Sequence, residues 1–134
     1  MIAKPKLILL RGLPGSGKST IAGFLCGLDP NVITFEADDW MYEDGEYRFD
    51  PKKLAFCHEE CQKATRMHLQ RGYNVVVSNT STTEKEVAVY QQIAEECEAQ
   101  FISLIVENRR GGKNIHNVPD EKLQQMKQRF SIKL

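Results

Sequence analysis

No apolar run in this sequence approaches the roughly 18 residues needed to cross a bilayer, so no membrane span is expected. Nor is there a C-x-x-C pair. The four cysteines, Cys26, Cys57, Cys61 and Cys97, are wrongly spaced for a zinc ribbon or a disulfide framework. A reduced, cytoplasmic setting is the simplest expectation. Net charge is missing too: 18 Lys and Arg balance 18 Asp and Glu, so the chain as a whole does not attract a polyanion. No repeat, linker or low-complexity segment divides it. Met1–Pro5 runs directly into an apolar stretch, so no signal peptide is expected. What is left is 134 residues, 41% hydrophobic and 27% charged, which suits one compact domain over 1–134 with a single core.

One stretch stands out from that ordinary composition. Gly12-Leu13-Pro14-Gly15-Ser16-Gly17-Lys18-Ser19-Thr20 is a complete G-x-x-x-x-G-K-[ST] phosphate-binding loop. Its glycines let the backbone curl around an anion with N–H groups inward, and the following helix adds the positive end of its dipole. Lys18 has the reach for the β- and γ-phosphates of ATP, and the Ser19 hydroxyl suits Mg²⁺. The flanks agree. Lys6–Leu10 suits a buried parallel strand. Ile21, Phe24 and Leu25 mark a helix after the loop with one buried face.

Further strands are expected at Val32–Glu36, Tyr73–Ser78 and Phe101–Glu107. Asp50-Pro51 starts a second helix, with Asp as cap and Pro in the first turn. Leu54, Cys57, Cys61, Ala64 and His68 share its inner face. Ser81 and Glu84 have capping-box spacing for a third helix, with Val87, Tyr90, Ala94 and Cys97 inward. Pro119 opens a fourth, with Asp120 and Glu121 in its first turn and Leu123, Met126 and Phe130 on one side. Strand and helix thus alternate. That order predicts an α/β three-layer sandwich: a small, about four-stranded parallel sheet with helices on both faces and right-handed crossovers. Ligands in such sheets bind at the carboxyl ends of the strands.

The residues at those ends are therefore the candidates. After the second strand come Glu36, Ala37, Asp38 and Asp39. A carboxylate there can take the proton of an attacking hydroxyl; Asp38 is the candidate base and Asp39 orients partners or influences the metal, the alternative for either being to cap a short helical turn. After the third strand come Asn79 and Thr80, where a Walker-B acid is missing, which disfavours a water-activating ATPase. They either organise the acceptor or make the turn. After the fourth come Arg109, Arg110, Gly111 and Gly112, a basic loop able to bring an arginine over the phosphates. Charge is unevenly spread: residues 35–60 hold nine acids against three bases, net −6, while 107–134 hold seven bases against three acids, net +4. Tyr42–Phe49 reads as an Asp-Gly hairpin between aromatics, which either stack on a flat acceptor or pack a small lobe.

The ordered set of motifs resembles small P-loop kinases of the polynucleotide 5′-hydroxyl kinase type. It resembles still more the small ATP-binding proteins grouped with the NEDD4-binding-protein-2-like family. The pieces are the loop, Asp38-Asp39 before an aromatic, Tyr47-Arg48-Phe49-Asp50, His58, Asn79-Thr80 and His116-Asn117-Val118-Pro119. The resemblance implies ATP and Mg²⁺, and transfer of the γ-phosphoryl group to a hydroxyl. It implies catalytic roles for Lys18, Asp38 and Arg110. It also implies nucleotide contacts from Gly12, Pro14, Gly15, Ser16, Gly17, Lys18, Ser19, Thr20, Arg109 and Arg110, with Ser19 on the metal. Those kinases carry arginines where this chain has Ala37 and Met41, and a phage member has an aspartate at Asn79. The expected activity is thus polynucleotide 5′-kinase-like with the acceptor open: a nucleic-acid end is possible but not favoured by the local charge, and a nucleoside or another small-molecule alcohol is the alternative. An ATPase and a non-catalytic nucleotide-binding module are the other readings. No membrane partner is expected.

Overall fold

The computed structural model describes residues 3–109, 111 and 118–134. Among them, β1 (Lys6–Arg11) leads through the glycine loop into α1 (Lys18–Leu28), followed by β2 (Val32–Phe35) and a short 3-10 turn at Ala37–Trp40. A two-strand hairpin follows, β3 (Tyr42–Glu43) and β4 (Glu46–Tyr47). A second 3-10 turn, Pro51–Lys53, enters α2 (Leu54–Gln70). Then come β5 (Asn74–Ser78), α3 (Glu84–Glu96), β6 (Gln100–Ile105) and α4 (Asp120–Arg129). Strand ends sit within two residues of those expected.

The main sheet is parallel, in the order β2-β5-β1-β6. The chain leaves β1 toward one side and returns on the other at β6, so β1 ends at the switch point of the sheet, where open α/β sheets bind ligands. The register aligns Phe35 with Val77, Leu10 with Ser78, and Arg11 with Ile105. The next residues, Glu36, Asn79, Gly12 and Val106, therefore form one rim. That rim is the floor of the site.

The two central strands are covered on both faces, which is why they read as unbroken apolar runs. Leu7, Leu9, Leu10, Val75, Val76 and Val77 are fully buried, each contributing roughly 1.5–3 kcal/mol. Leu7, Leu9, Val75 and Val77 pack against Cys61, Leu69, Val87, Tyr90, Ile93 and Ala94 of α2 and α3. Leu10 and Val76 pack on the opposite face against Ala22 of α1, with Ile21 and Leu25 alongside.

Three helical details depart from the pattern read in the sequence. Phe24 is 65% exposed: α1 meets the sheet through Ala22 with Ile21 and Leu25, and Phe24 alone of the expected stripe turns away. On α2 the expected Cys57 and Cys61 are buried, but the stripe continues through Thr65 and Leu69 rather than Ala64 and His68, and Leu54 is exposed. His68 sits at the boundary, edge-on to Phe35 and Tyr73. The cap of α3 is Thr83, not Ser81: Thr83 Oγ1 accepts from the Glu86 backbone N–H, and the Glu86 carboxylate returns to the Thr82 N–H. Ser81 instead adopts a left-handed backbone, φ 47°, which turns the chain before the helix starts.

The hairpin follows its sequence signal. Asp44 and Gly45 have φ of 51° and 80°, the two left-handed positions of a tight hairpin turn. Its strands fold back on the first 3-10 turn through Arg48 N–H to Met41 O at 2.8 Å. Met41 and Ala37 are buried there with Cys57, beside Trp40 and Tyr47.

Candidate active site

The loop between β1 and α1 owes its shape to three glycines. Gly15 and Gly17 have φ of 85° and 111°, a region closed to residues with a Cβ except at a cost. Gly12 is confined by space instead: a Cβ there would lie 2.5 Å from Ser16 Oγ and 2.8 Å from Val106 O. Gly17 stands at the N-terminus of α1, where no side chain caps the helix and no acid lies in the first turn. Open N–H groups and an uncompensated dipole leave that end suited to an anion. Ser19 and Thr20 are exposed on the same first turn. Ser16 is 3% exposed, and its Oγ has no hydrogen-bond partner among the described residues.

Lys18 folds back over the loop. Its Nζ donates to Gly12 O at 2.7 Å and Leu13 O at 3.2 Å. Burial lowers its pKa from 10.5 to about 8, against the pull of the nearby Glu36 and Asp38 carboxylates. The lysine and the carboxylates thus share one electrostatic neighbourhood although they arise on different strand ends. A small open cleft of about 140 Å³ adjoins the loop on the side of Val106, Asn108 and Phe130. Neither Lys18 nor Asp38 lines it.

Asp38 sits in the Ala37–Trp40 turn, which is held at both ends. Glu36 accepts from the Asp39 N–H while Asp39 Oδ2 accepts from the Glu36 N–H at 3.0 Å. Asp39 is therefore the cap of the turn, and of the two roles open to it the structure shows this one. The first residue of the turn is tied across to β5: Ala37 N–H donates to Asn79 Oδ1 at 2.9 Å. The Asn79 amide nitrogen lies 3.4 Å from Tyr90 Oη and 4.0 Å from Cys61 Sγ. Asn79 is buried and spans the rim between two strand ends. The Tyr47 hydroxyl hydrogen-bonds Asp38; burial and the Asp38 charge push its pKa up to about 12, so it stays a neutral donor.

Arg11, the last residue of β1, is buried as well. Its Nε donates to Ser81 O at 2.8 Å, and Nη2 donates to Ser131 O at 2.7 Å and to Thr82 O at 3.5 Å. The guanidinium carbon lies 5.0 Å from the centre of the Phe130 ring. Arg11 thereby clasps the segment after α4 to the loop after β5. Nothing in the sequence marked this residue beyond a charge ending an apolar strand.

With this geometry in place, the comparisons decide the family. A family model described as an AAA domain matches residues 7–132. The chain belongs to this AAA domain family. Among curated proteins, the domain is 29% identical over 132 residues to NEDD4-binding protein 2 of Homo sapiens, covering 92% of this chain and 8% of that much longer protein. The Pnkp1/Rnl/Hen1 RNA repair complex contains a chain that is similar with a TM-score of 0.67 and 21% identity, over 94% of this chain and 37% of that one. An APS kinase of Mycobacterium tuberculosis, solved with AMPPNP and APS, is similar with a TM-score of 0.66 and 17% identity, over 89% and 75%. A sugar kinase from a Janibacter species follows with a TM-score of 0.67 and 14% identity, over 97% and 80%. The AAA domain thus has the P-loop kinase fold, shared by kinases of unlike acceptors.

The structure of the AAA domain brings Gly12, Pro14, Gly15, Ser16, Gly17, Lys18, Ser19 and Thr20 together as one loop and helix start, with Asp38 close enough to act on the Lys18 charge. Arg109 pairs instead with Glu107, Nη2 to Oε2 at 2.9 Å. Arg110, His116 and Asn117 lie outside the described residues. His58 is exposed on α2. The Tyr47–Asp38 hydrogen bond and the bridging role of Asn79 were not legible beforehand.

Proposed function

We propose that the AAA domain is an ATP-dependent phosphotransferase that moves the γ-phosphoryl group of ATP to a hydroxyl acceptor. The observation that carries this reading is that the Asp38 charge reaches Lys18. A phosphate-loop lysine lies within the field of a carboxylate on the next strand end, while the end of β5 offers the uncharged Ser78 and Asn79 where a Walker-B acid would stand. Such a carboxylate serves an alcohol nucleophile better than it serves metal-bound water.

In this reading the triphosphate displaces the Lys18 ammonium from the Gly12 and Leu13 carbonyls, and Lys18 follows the β- and γ-phosphates. The loop N–H groups and the first turn of α1 neutralise the charge that develops on the transferred group. Ser19 is the residue that would hold Mg²⁺, which supplies further charge neutralisation and fits an exposed hydroxyl beside an anion site. The acceptor oxygen bonds to the γ-phosphorus, the bond to the bridging oxygen breaks, ADP leaves, and the proton passes to Asp38. Arg109 or Arg110 supplies a positive charge to the phosphates, for which Arg109 must leave Glu107. The four free thiols suit a reducing, intracellular setting.

The test is γ-labelled ATP with panels of hydroxyl acceptors, run on the native domain and on Asp38→Asn. Transfer is expected to fall by about 10²–10⁴ in the variant, with ATP affinity within about two-fold of native. Full transfer by Asp38→Asn refutes the base. Release of phosphate that no acceptor diverts refutes the transferase reading in favour of an ATPase.

A further inference from the structure

On the phosphotransfer reading, the surroundings of Asp38 also specify the acceptor. Residues 36–53 hold seven acids, Glu36, Asp38, Asp39, Glu43, Asp44, Glu46 and Asp50, against Arg48, Lys52 and Lys53. Two of those three cations are already committed. Lys53 Nζ lies 3.0 Å from Glu43 Oε1. Arg48 lies 3.7 Å from Glu43 and 3.4 Å from Glu46. Ala37, just before the Asp38-Asp39 pair, and Met41, two residues after it, are buried and apolar, so neither offers an acceptor a charge. A phosphate carried by the acceptor would meet an acidic wall in which two of the three cations are paired.

The same wall presents aromatic surface. The Tyr42 and Tyr47 rings meet edge to face with centres 5.6 Å apart. Tyr47 is hydrogen-bonded to Asp38, whereas Tyr42 is 55% exposed. An open ring is thus fixed, through its neighbour, at a set place relative to the carboxylate. Aromatic faces of this kind hold flat rings by stacking without needing charge.

We propose that the acceptor is an uncharged hydroxyl compound bearing a flat aromatic ring, of the nucleoside class, with its ring against Tyr42 and its hydroxyl at Asp38. The step keeps its balance: the nucleoside oxygen takes the γ-phosphorus, its proton goes to Asp38, and ADP leaves with the electron pair of the broken bond. A 3′-phosphate on the same nucleoside weakens binding, because it must approach the Glu43 and Glu46 side.

The experiment uses the full chain with ATP and Mg²⁺. It compares the four common nucleosides, the same nucleosides carrying a 3′-phosphate, a 5′-hydroxyl oligonucleotide, and free ribose. At least one nucleoside is expected to exceed its 3′-phosphate in kcat/KM by about ten-fold or more, equal to about 1.4 kcal/mol. It should exceed ribose by a similar factor. Equal or reversed preference overturns the proposal. Two sets of surface variants probe the cause. Glu43→Gln with Glu46→Gln frees Arg48 and Lys53, and should raise kcat/KM for the 3′-phosphate by roughly five-fold while the nucleoside changes less than two-fold. Tyr42→Ala should raise the nucleoside KM by about ten-fold with the KM for ATP unchanged. If neither variant moves these constants, the charge and stacking assignments are wrong. Preference for the phosphorylated acceptor sinks this inference alone. Loss of the γ-phosphate only to water sinks the transferase reading with it.

Discussion

Replacing Lys18 by methionine is expected to stabilise the nucleotide-free domain while removing its response to ATP. The charged ammonium is held over the loop at a cost, seen in the fall of its pKa from 10.5 to about 8. At ~1.4 kcal/mol per pH unit this is on the order of 3 kcal/mol, an upper bound because water reaches part of the side chain and screens it. Methionine also forfeits the two hydrogen bonds to Gly12 O and Leu13 O, together about 1–2 kcal/mol. The net gain near pH 7 is therefore about 1–2 kcal/mol, or a Tm rise of about 3–8 °C for a domain of this size.

The sign of the pH dependence follows from the same shift. Between pH 8 and 10.5 the unfolded chain holds the lysine proton more tightly than the folded one, so native stability rises with pH in that window. The advantage of Lys18→Met is full below pH 8 and reversed by pH 10.5, where the neutral amine escapes the burial cost but keeps its hydrogen bonds. Urea unfolding of both proteins at pH 7, 9 and 10.5 measures it, and a Tm series with ATP–Mg²⁺ reads the lost response. At a hundred-fold excess over Kd, native protein should gain about 2.7 kcal/mol from ATP, and the variant far less. A variant less stable than native by more than about 1 kcal/mol at pH 7, or a gap that ignores pH, refutes the reasoning.

Gly12→Ala places a methyl against the Val106 carbonyl. It should cost about 1–3 kcal/mol in thermal unfolding and weaken ATP binding. Gly23→Ala, in open space within α1, should instead add about 0.5–1 kcal/mol. Arg11→Met strips the donor from the Ser81, Thr82 and Ser131 carbonyls. A loss of about 3 kcal/mol is expected, with faster amide exchange at Ser131, whose N–H donates to Thr82 O. An unchanged exchange rate would show that the clasp is not what holds that segment. Asn79→Ala frees the Ala37 N–H and should lower kcat for transfer at least about ten-fold while ATP affinity holds. A change confined to acceptor KM would mean that Asn79 touches the acceptor rather than positioning Asp38.

The sequence by itself determined most features whose chemistry is contiguous, the α3 cap at Thr83 being the exception. The loop 12–20 needs neighbouring glycines, a lysine and a hydroxyl. The hairpin needs Asp44-Gly45, and the buried strands need unbroken aliphatic runs. These signals are local, so they survived into the structure almost unchanged, as did the placement of Asp38 after β2. Helix faces were legible at their centres, as with Val87, Tyr90 and Ala94 on α3 and Cys57 and Cys61 on α2, but not everywhere: Phe24 and Leu54 face water and Thr65 and Leu69 do not. Only the tertiary structure decided the rest. Asn79 meets Ala37 across 42 residues, and Arg11 meets Ser131 across 120. Tyr47 meets Asp38 because the hairpin folds back over Met41. Such partners are chosen by which strand ends the sheet order places side by side. A buried polar group must then find a donor or acceptor there, wherever in the chain it comes from.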